Sequence, residues 1–189
     1  GPTGCGKSVF VFKMLDNLAD MITPTPQKVI YCYGEYQPGF DKYPWVECHE
    51  GLPKSEMFDG TPTLLVIDDL MNETNDTVAN LFTKISHHRS VSVIYITQNV
   101  FHKNKQSRTI SLNTHYMVLF KSSRDAGQIA VLGRQLYPEH SKFLVEAFKD
   151  ATSTPHSYLL LDLRPETGEN YRVRTNIFLG DQQIVYNPK

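Results

Sequence analysis

Residues 1–8 read Gly-Pro-Thr-Gly-Cys-Gly-Lys-Ser, and an amphipathic run begins directly behind them. From Ser8 to Met21 the apolar residues Val9, Phe10, Phe12, Met14, Leu15 and Leu18 recur at helical spacing, and Pro24 and Pro26 close the segment. A glycine-rich turn that opens straight into a helix is a narrow structural commitment. The glycines let the backbone wind so that successive N–H groups converge on one point, and the helix start aims the positive end of its dipole there. Both features suit a phosphate. The octapeptide satisfies G-x-x-x-x-G-K-[ST], so Gly1, Gly4, Cys5 and Gly6 are expected to wrap the phosphates with backbone donors. Lys7 brings an ammonium to the β- and γ-phosphates, and the Ser8 hydroxyl is placed for Mg²⁺. A buried strand is expected ahead of such a loop, and no residue precedes Gly1. The expectation is therefore of a fragment without its P-loop strand, which weakens the case for folding and activity on its own.

The rest of the chain alternates between strand and helix patterns. Lys28–Tyr33, Leu64–Ile67, Val91–Thr97 and Tyr116–Phe120 are short β-rich or continuously apolar runs, as expected for strands buried on both faces. Asp76–His88, Asp125–Gln135 and Glu139–Lys149 have helical periodicity. Gly34–Gly60, rich in Gly, Pro and Tyr, is expected to be loop with minor structure. Tyr158–Leu163 and Tyr171–Thr175 form a terminal strand pair joined through Pro165–Gly168. The pattern predicts one α/β domain spanning residues 1–189 with a mainly parallel central sheet.

Leu64-Leu65-Val66-Ile67-Asp68-Asp69 is an apolar strand ending in two carboxylates. Such a strand delivers its last residues to the ligand-binding edge of a parallel sheet. Asp68 is placed to hold Mg²⁺, and Asp69 to polarise an attacking water. Asp69 is one methylene shorter than glutamate, so the water must sit closer or the backbone must compensate. The strand at Val91–Ile96 ends in Thr97-Gln98-Asn99, and the Gln98 amide is the candidate reader of the γ-phosphate. Arg89, with Arg108 and Arg124 as alternatives, is a candidate for an arginine acting on a neighbouring subunit; each serves equally well as a solvated surface residue. Phe101 to Arg108 is the most basic local stretch, and Lys103, Lys105 and Arg108 can grip a phosphate backbone or simply face solvent.

These motifs, GPTGCGKS, LLVIDD and VIYITQN, resemble the FtsK/HerA superfamily of DNA-translocating P-loop ATPases. The similarity is strongest to the genome-packaging ATPases of poxvirus-like large DNA viruses and of Polinton/Maverick elements and adintoviruses. It extends through LFTKISHHRSVSVIYITQNVFHK, RTISLNTHYMVLFKSSRDAGQI and AFKDATSTPHSYLLLDLRP, essentially the whole chain. The resemblance implies a RecA-like core and ATP hydrolysis with ATP and Mg²⁺ as ligands. Lys7 and Ser8 match the nucleotide and metal positions, Asp68 and Asp69 the Walker B acids, and Gln98 the sensor glutamine. Arg89 matches the arginine ahead of the sensor strand, the trans-acting finger. It also implies a homo-oligomeric ring, usually a hexamer, that drives double-stranded DNA into a capsid, with a capsid or portal-vertex protein as partner. Host nucleus, cytoplasmic virus factory or virion is the implied location. Lys103, Lys105 and Arg108 would then be pore-loop contacts to DNA.

Composition narrows the alternatives. With 40% hydrophobic and 21% charged residues the chain reads as an ordinary globular protein, and no apolar run reaches the roughly 20 residues of a membrane span. A net charge of -1 gives no global basic field, so any DNA contact must be local. Cys5, Cys32 and Cys48 are odd in number with no CxxC, which suits reduced thiols in a cytosolic or nuclear setting. A monomeric GTPase should carry NKxD, and Asn104-Lys105-Gln106-Ser107 lacks the closing carboxylate. A small kinase should show an arginine-rich lid, and none is evident. An inactive or domesticated relic of a mobile element should have lost Lys7, Ser8, Asp68, Asp69 or Gln98, and all are present.

Overall fold

The computed structural model describes residues 1–36, 38–68, 70, 90–98, 105–122 and 126–189. The chain divides into two compact units, one built from Gly1–Asn17 and Thr114–Lys189, the other from Leu18–Asn113.

The second unit holds a four-stranded sheet of β1 (Lys28–Tyr33), β2 (Glu47–Glu50), β3 (Thr63–Asp68) and β4 (Val91–Ile96), in the order β2-β1-β3-β4. Every pairing in it is parallel. β3 is buried at all its residues, which is why its sequence reads as an unbroken apolar run instead of alternating. Alternation still decides which side chains meet. Ile30 aligns with Leu65 and Cys32 with Ile67, and these four pack with Phe58, Leu70, Val91 and Ile110 on one face. The opposite face carries Tyr31 beside Val66 and Tyr33 beside Asp68, with Phe40 tilted against Tyr31 at a ring-centroid distance of 4.7 Å. The short helix α2 (Leu18–Met21) opens the unit and α3 (Lys105–Leu112) closes it. The basic stretch read from the sequence as a loop is thus helical from Lys105 onward. Lys105 to Leu112 contains no Gly or Pro, and lysine, glutamine, arginine and leucine are good helix formers.

The first unit contains α1 (Lys7–Asp16), β5 (Tyr116–Phe120), α4 (Ala126–Leu136), α5 (Phe143–Ala151), β6 (Tyr158–Asp162), β7 (Val173–Thr175) and β8 (Ile184–Tyr186). Its sheet, ordered β5-β6-β7-β8, is antiparallel throughout. The expected mainly parallel sheet therefore holds for one unit only. Fully buried strands such as β6 present the same apolar run in either orientation, so composition does not distinguish them. α5 buries Leu144, Ala147, Phe148 and Ala151, one face at helical spacing. α1 ends at Asn17, whose side-chain amide donates to the Lys13 carbonyl at 2.8 Å, so the periodic run from Ser8 to Met21 is two helices.

One charged cluster is buried in this unit. Asp162, 0% exposed, accepts from Arg164 Nε at 3.1 Å and Nη2 at 3.0 Å, and from Arg174 Nη2 at 2.9 Å. Burial alone would push its carboxyl up, but the Arg164 hydrogen bonds hold it below the usual carboxylate range.

Candidate functional site

The loop ahead of α1 is shaped by two left-handed glycines, Gly4 with φ 77° and Gly6 with φ 108°. Gly6 is the N-cap of α1, makes no side-chain cap and is followed by no acidic residue in the first turn. No first-turn residue of α1 itself therefore neutralises the dipole end of the helix. Lys7 folds back across the loop, its ammonium donating to the Gly1 carbonyl at 2.6 Å and the Pro2 carbonyl at 2.8 Å. Those bonds hold the ammonium against the loop's own backbone, where an anion cradled by the loop would meet it.

The loop is seated on the antiparallel sheet. A Cβ on Gly1 would lie 2.8 Å from Cys5 Sγ and 3.2 Å from Phe120 Cβ, at the end of β5. A Cβ on Gly6 would lie 3.0 Å from both Cα and Cβ of His156, in the turn that enters β6. Phe120 and Tyr158 are register partners on β5 and β6, and the Phe10 ring of α1 packs edge-on against both, at 6.0 and 4.8 Å, and against Phe178 at 5.2 Å. This aromatic contact fixes the start of α1, and with it Lys7 and Ser8, relative to the sheet. Sequence reasoning did not single out His156 or Phe10; the short His-Ser step between a Pro turn and an apolar strand was the available signal.

In the other unit Asp68 is the last residue of β3 and is 6% exposed. Its Oδ2 accepts a 2.7 Å hydrogen bond from the Tyr31 hydroxyl. Burial first, and then the negative charge of Asp68, raise the Tyr31 phenol well above its ordinary value, so it stays protonated as a donor. Asp68 aligns with Ile96, the last residue of β4, and Gln98 follows two residues later and is exposed. Asp68 and Gln98 therefore share the C-terminal edge of adjacent parallel strands, the edge at which ligands bind in open parallel sheets.

Lys7, Ser8, Gly1, Gly4, Cys5 and Gly6 thus fall in one unit, and Asp68 and Gln98 in the other. Asp69, Arg89, Lys103 and Arg124, and the helix expected at Asp76–His88, lie outside the described residues. Lys105 and Arg108 fall in α3, where only their backbone is described. Among the described residues no group of three or more His, Cys, Asp or Glu side chains is arranged to hold a metal. Mg²⁺ takes few protein ligands when phosphate oxygens and water complete its octahedron. Ser8 in one unit and Asp68 in the other each carry a hard oxygen donor of the kind it favours. No described helix is long and apolar enough to cross a membrane. Comparison with protein-family models, with curated proteins and with solved structures finds no match to this chain.

Proposed function

We propose that the chain binds and hydrolyses ATP with Mg²⁺, as a RecA-like P-loop ATPase, and that it works in a homo-oligomeric ring translocating double-stranded DNA into a capsid. The observation that carries the nucleotide reading is the loop itself. Two glycines stand at positive φ, the helix start behind them has no side-chain cap, and the only cation of the octapeptide is folded onto the loop backbone. A Cβ at Gly1 or Gly6 would crowd Cys5, Phe120 or His156 at 2.8–3.2 Å, so the compact winding disfavours larger residues there. These are the requirements for presenting convergent N–H groups to a phosphate.

In this function Lys7 neutralises the β- and γ-phosphates, and Ser8 and Asp68 would be the residues that hold Mg²⁺, which would supply charge stabilisation to the transferring phosphoryl group. Asp69 orients the attacking water, and Gln98 reads the γ-phosphate. Arg89 is the finger supplied to a neighbouring subunit, and Lys103, Lys105 and Arg108 contact DNA. The translocation and packaging role rests on the resemblance of GPTGCGKS, LLVIDD and VIYITQN to the FtsK/HerA packaging ATPases. A parallel sheet whose acidic strand and sensor strand are neighbours in register is compatible with the RecA-like core of this reading.

The test is ATP hydrolysis by the full chain with and without double-stranded DNA, beside Lys7→Ala. DNA-stimulated turnover that Lys7→Ala abolishes is expected. Mixtures of Arg89→Ala with Asp69→Ala subunits should recover activity that neither variant has alone, because a trans arginine contributes about 10³–10⁵ in rate in related enzymes. Hydrolysis indifferent to DNA would refute the packaging role and leave a generic ATPase. Equal nucleotide binding by the unmutated chain and Lys7→Ala would refute the loop assignment itself.

A further inference from the structure

Asp68 has a partner that the motif does not announce. Tyr31 is 0% exposed in the middle of β1, and its strand neighbour is Val66, not Asp68. Two residues of parallel strand rise about 6.6 Å. The phenol side chain covers that distance along the sheet face, and its hydroxyl meets Asp68 Oδ2 at 2.7 Å. The ring is itself held, tilted against Phe40 with centroids 4.7 Å apart, and Phe40 in turn packs on Tyr33 and Tyr36 at 5.4 and 5.2 Å. The donor is thus locked by packing, and the carboxylate it holds is almost entirely out of water. A carboxylate with one oxygen bound to an immobile donor has a fixed plane, which sets the direction of its other oxygen.

We propose that Tyr31 is the positioning residue for Asp68, orienting the carboxylate through which the chain engages Mg²⁺. The inference rests on the nucleotide reading above and adds to it a residue from a different strand. A tyrosine at this place does what outer-shell partners of ligating carboxylates do elsewhere, where their loss lowers metal affinity about 10–100-fold. Phenylalanine fills the same volume against Phe40 and removes only the hydroxyl, so the two roles of Tyr31, packing and orientation, can be separated.

The experiment uses the full chain, unmutated and as Tyr31→Phe. Binding of a fluorescent ATP analogue is titrated in EDTA and then across Mg²⁺ concentrations, with Mn²⁺ affinity measured by electron paramagnetic resonance and the thermal midpoint recorded alongside. In EDTA the two proteins should bind the analogue equally. Tyr31→Phe should need about tenfold more Mg²⁺ for half-saturation and show a matching loss in Mn²⁺ affinity. A lower thermal midpoint with unchanged Mg²⁺ and Mn²⁺ affinities would overturn the inference, leaving Tyr31 a packing residue and the nucleotide reading intact. Failure of the unmutated chain to bind the analogue at all would overturn both.

Discussion

Replacing Gly6 by alanine tests the geometry of the loop without touching any functional side chain. Gly6 has φ 108° and ψ 6°, outside the small left-handed well that other L-residues reach at φ near 60°. Alanine in left-handed backbone is strained by roughly 1–2 kcal/mol. Its Cβ would also stand 3.0 Å from His156 Cα, a backbone atom that cannot rotate away, and overpacking of this kind costs about 1–3 kcal/mol. Together the loss in stability should be about 2–5 kcal/mol, read from urea unfolding followed by circular dichroism. Gly4→Ala is the control. Gly4 is also left-handed, at φ 77°, but no described atom lies within 4 Å of its would-be Cβ, so only strain of about 1–2 kcal/mol applies. His156→Gly in the Gly6→Ala background should recover part of the difference, because it removes the Cβ contact and relaxes the positive φ of 61° at His156. Equal losses for Gly4→Ala and Gly6→Ala would refute the close approach of the β6 entry turn to the loop.

The buried carboxylate and the thiols give two further expectations. Asp162→Asn should destabilise the fold by about 3 kcal/mol at pH 7, since it leaves Arg164 and Arg174 without their shared counter-charge. The folded-state carboxyl titrates below its ordinary value, so its stabilisation is complete above the unfolded pKa near 3.9 and lost as pH falls through the depressed one. Urea midpoints of wild type and variant should therefore converge as the pH falls below the ordinary carboxylate range, and a constant gap there would contradict the ion-pair account. Cys32 is 0% exposed and burial pushes its thiol up to about 12, so a disulfide exchange reagent at pH 7.5 should modify Cys48 and Cys5 in the folded chain and Cys32 only after denaturation. Three thiols reacting together would show that the β1–β3 core is open.

The elements that could be read from the sequence are those whose residues answer to one local rule. β1 and β5 match the apolar runs to the residue, because both carry buried β-formers between polar or turn residues. β2 reads Glu-Cys-His-Glu and is mostly exposed; it is a strand only because β1 offers it a parallel edge, and nothing inside those four residues says so. β8 is hidden for the same reason, three half-exposed residues paired to β7. The short Pro165–Gly168 connection made the β6–β7 pair legible as a hairpin, but the direction of β5 beside β6 was not, since an apolar run buried on both faces looks the same beside either kind of neighbour.

The same division runs through the candidate site. A phosphate loop is made by backbone, and backbone conformation is set by glycines a few residues apart, so GPTGCGKS announces itself in eight letters. A ligating carboxylate is different. Asp68 is placed by its strand, but a hydroxyl 37 residues earlier holds one of its oxygens, and the space beside Gly6 is closed by a histidine turn 150 residues later. Neither partner belongs to a motif, because each acts through whatever side chain the tertiary fold brings within reach. The residues that tune such a site therefore lie along the faces that pack against its motifs, as Tyr31 does, the fully buried phenol of β1 that reaches Asp68.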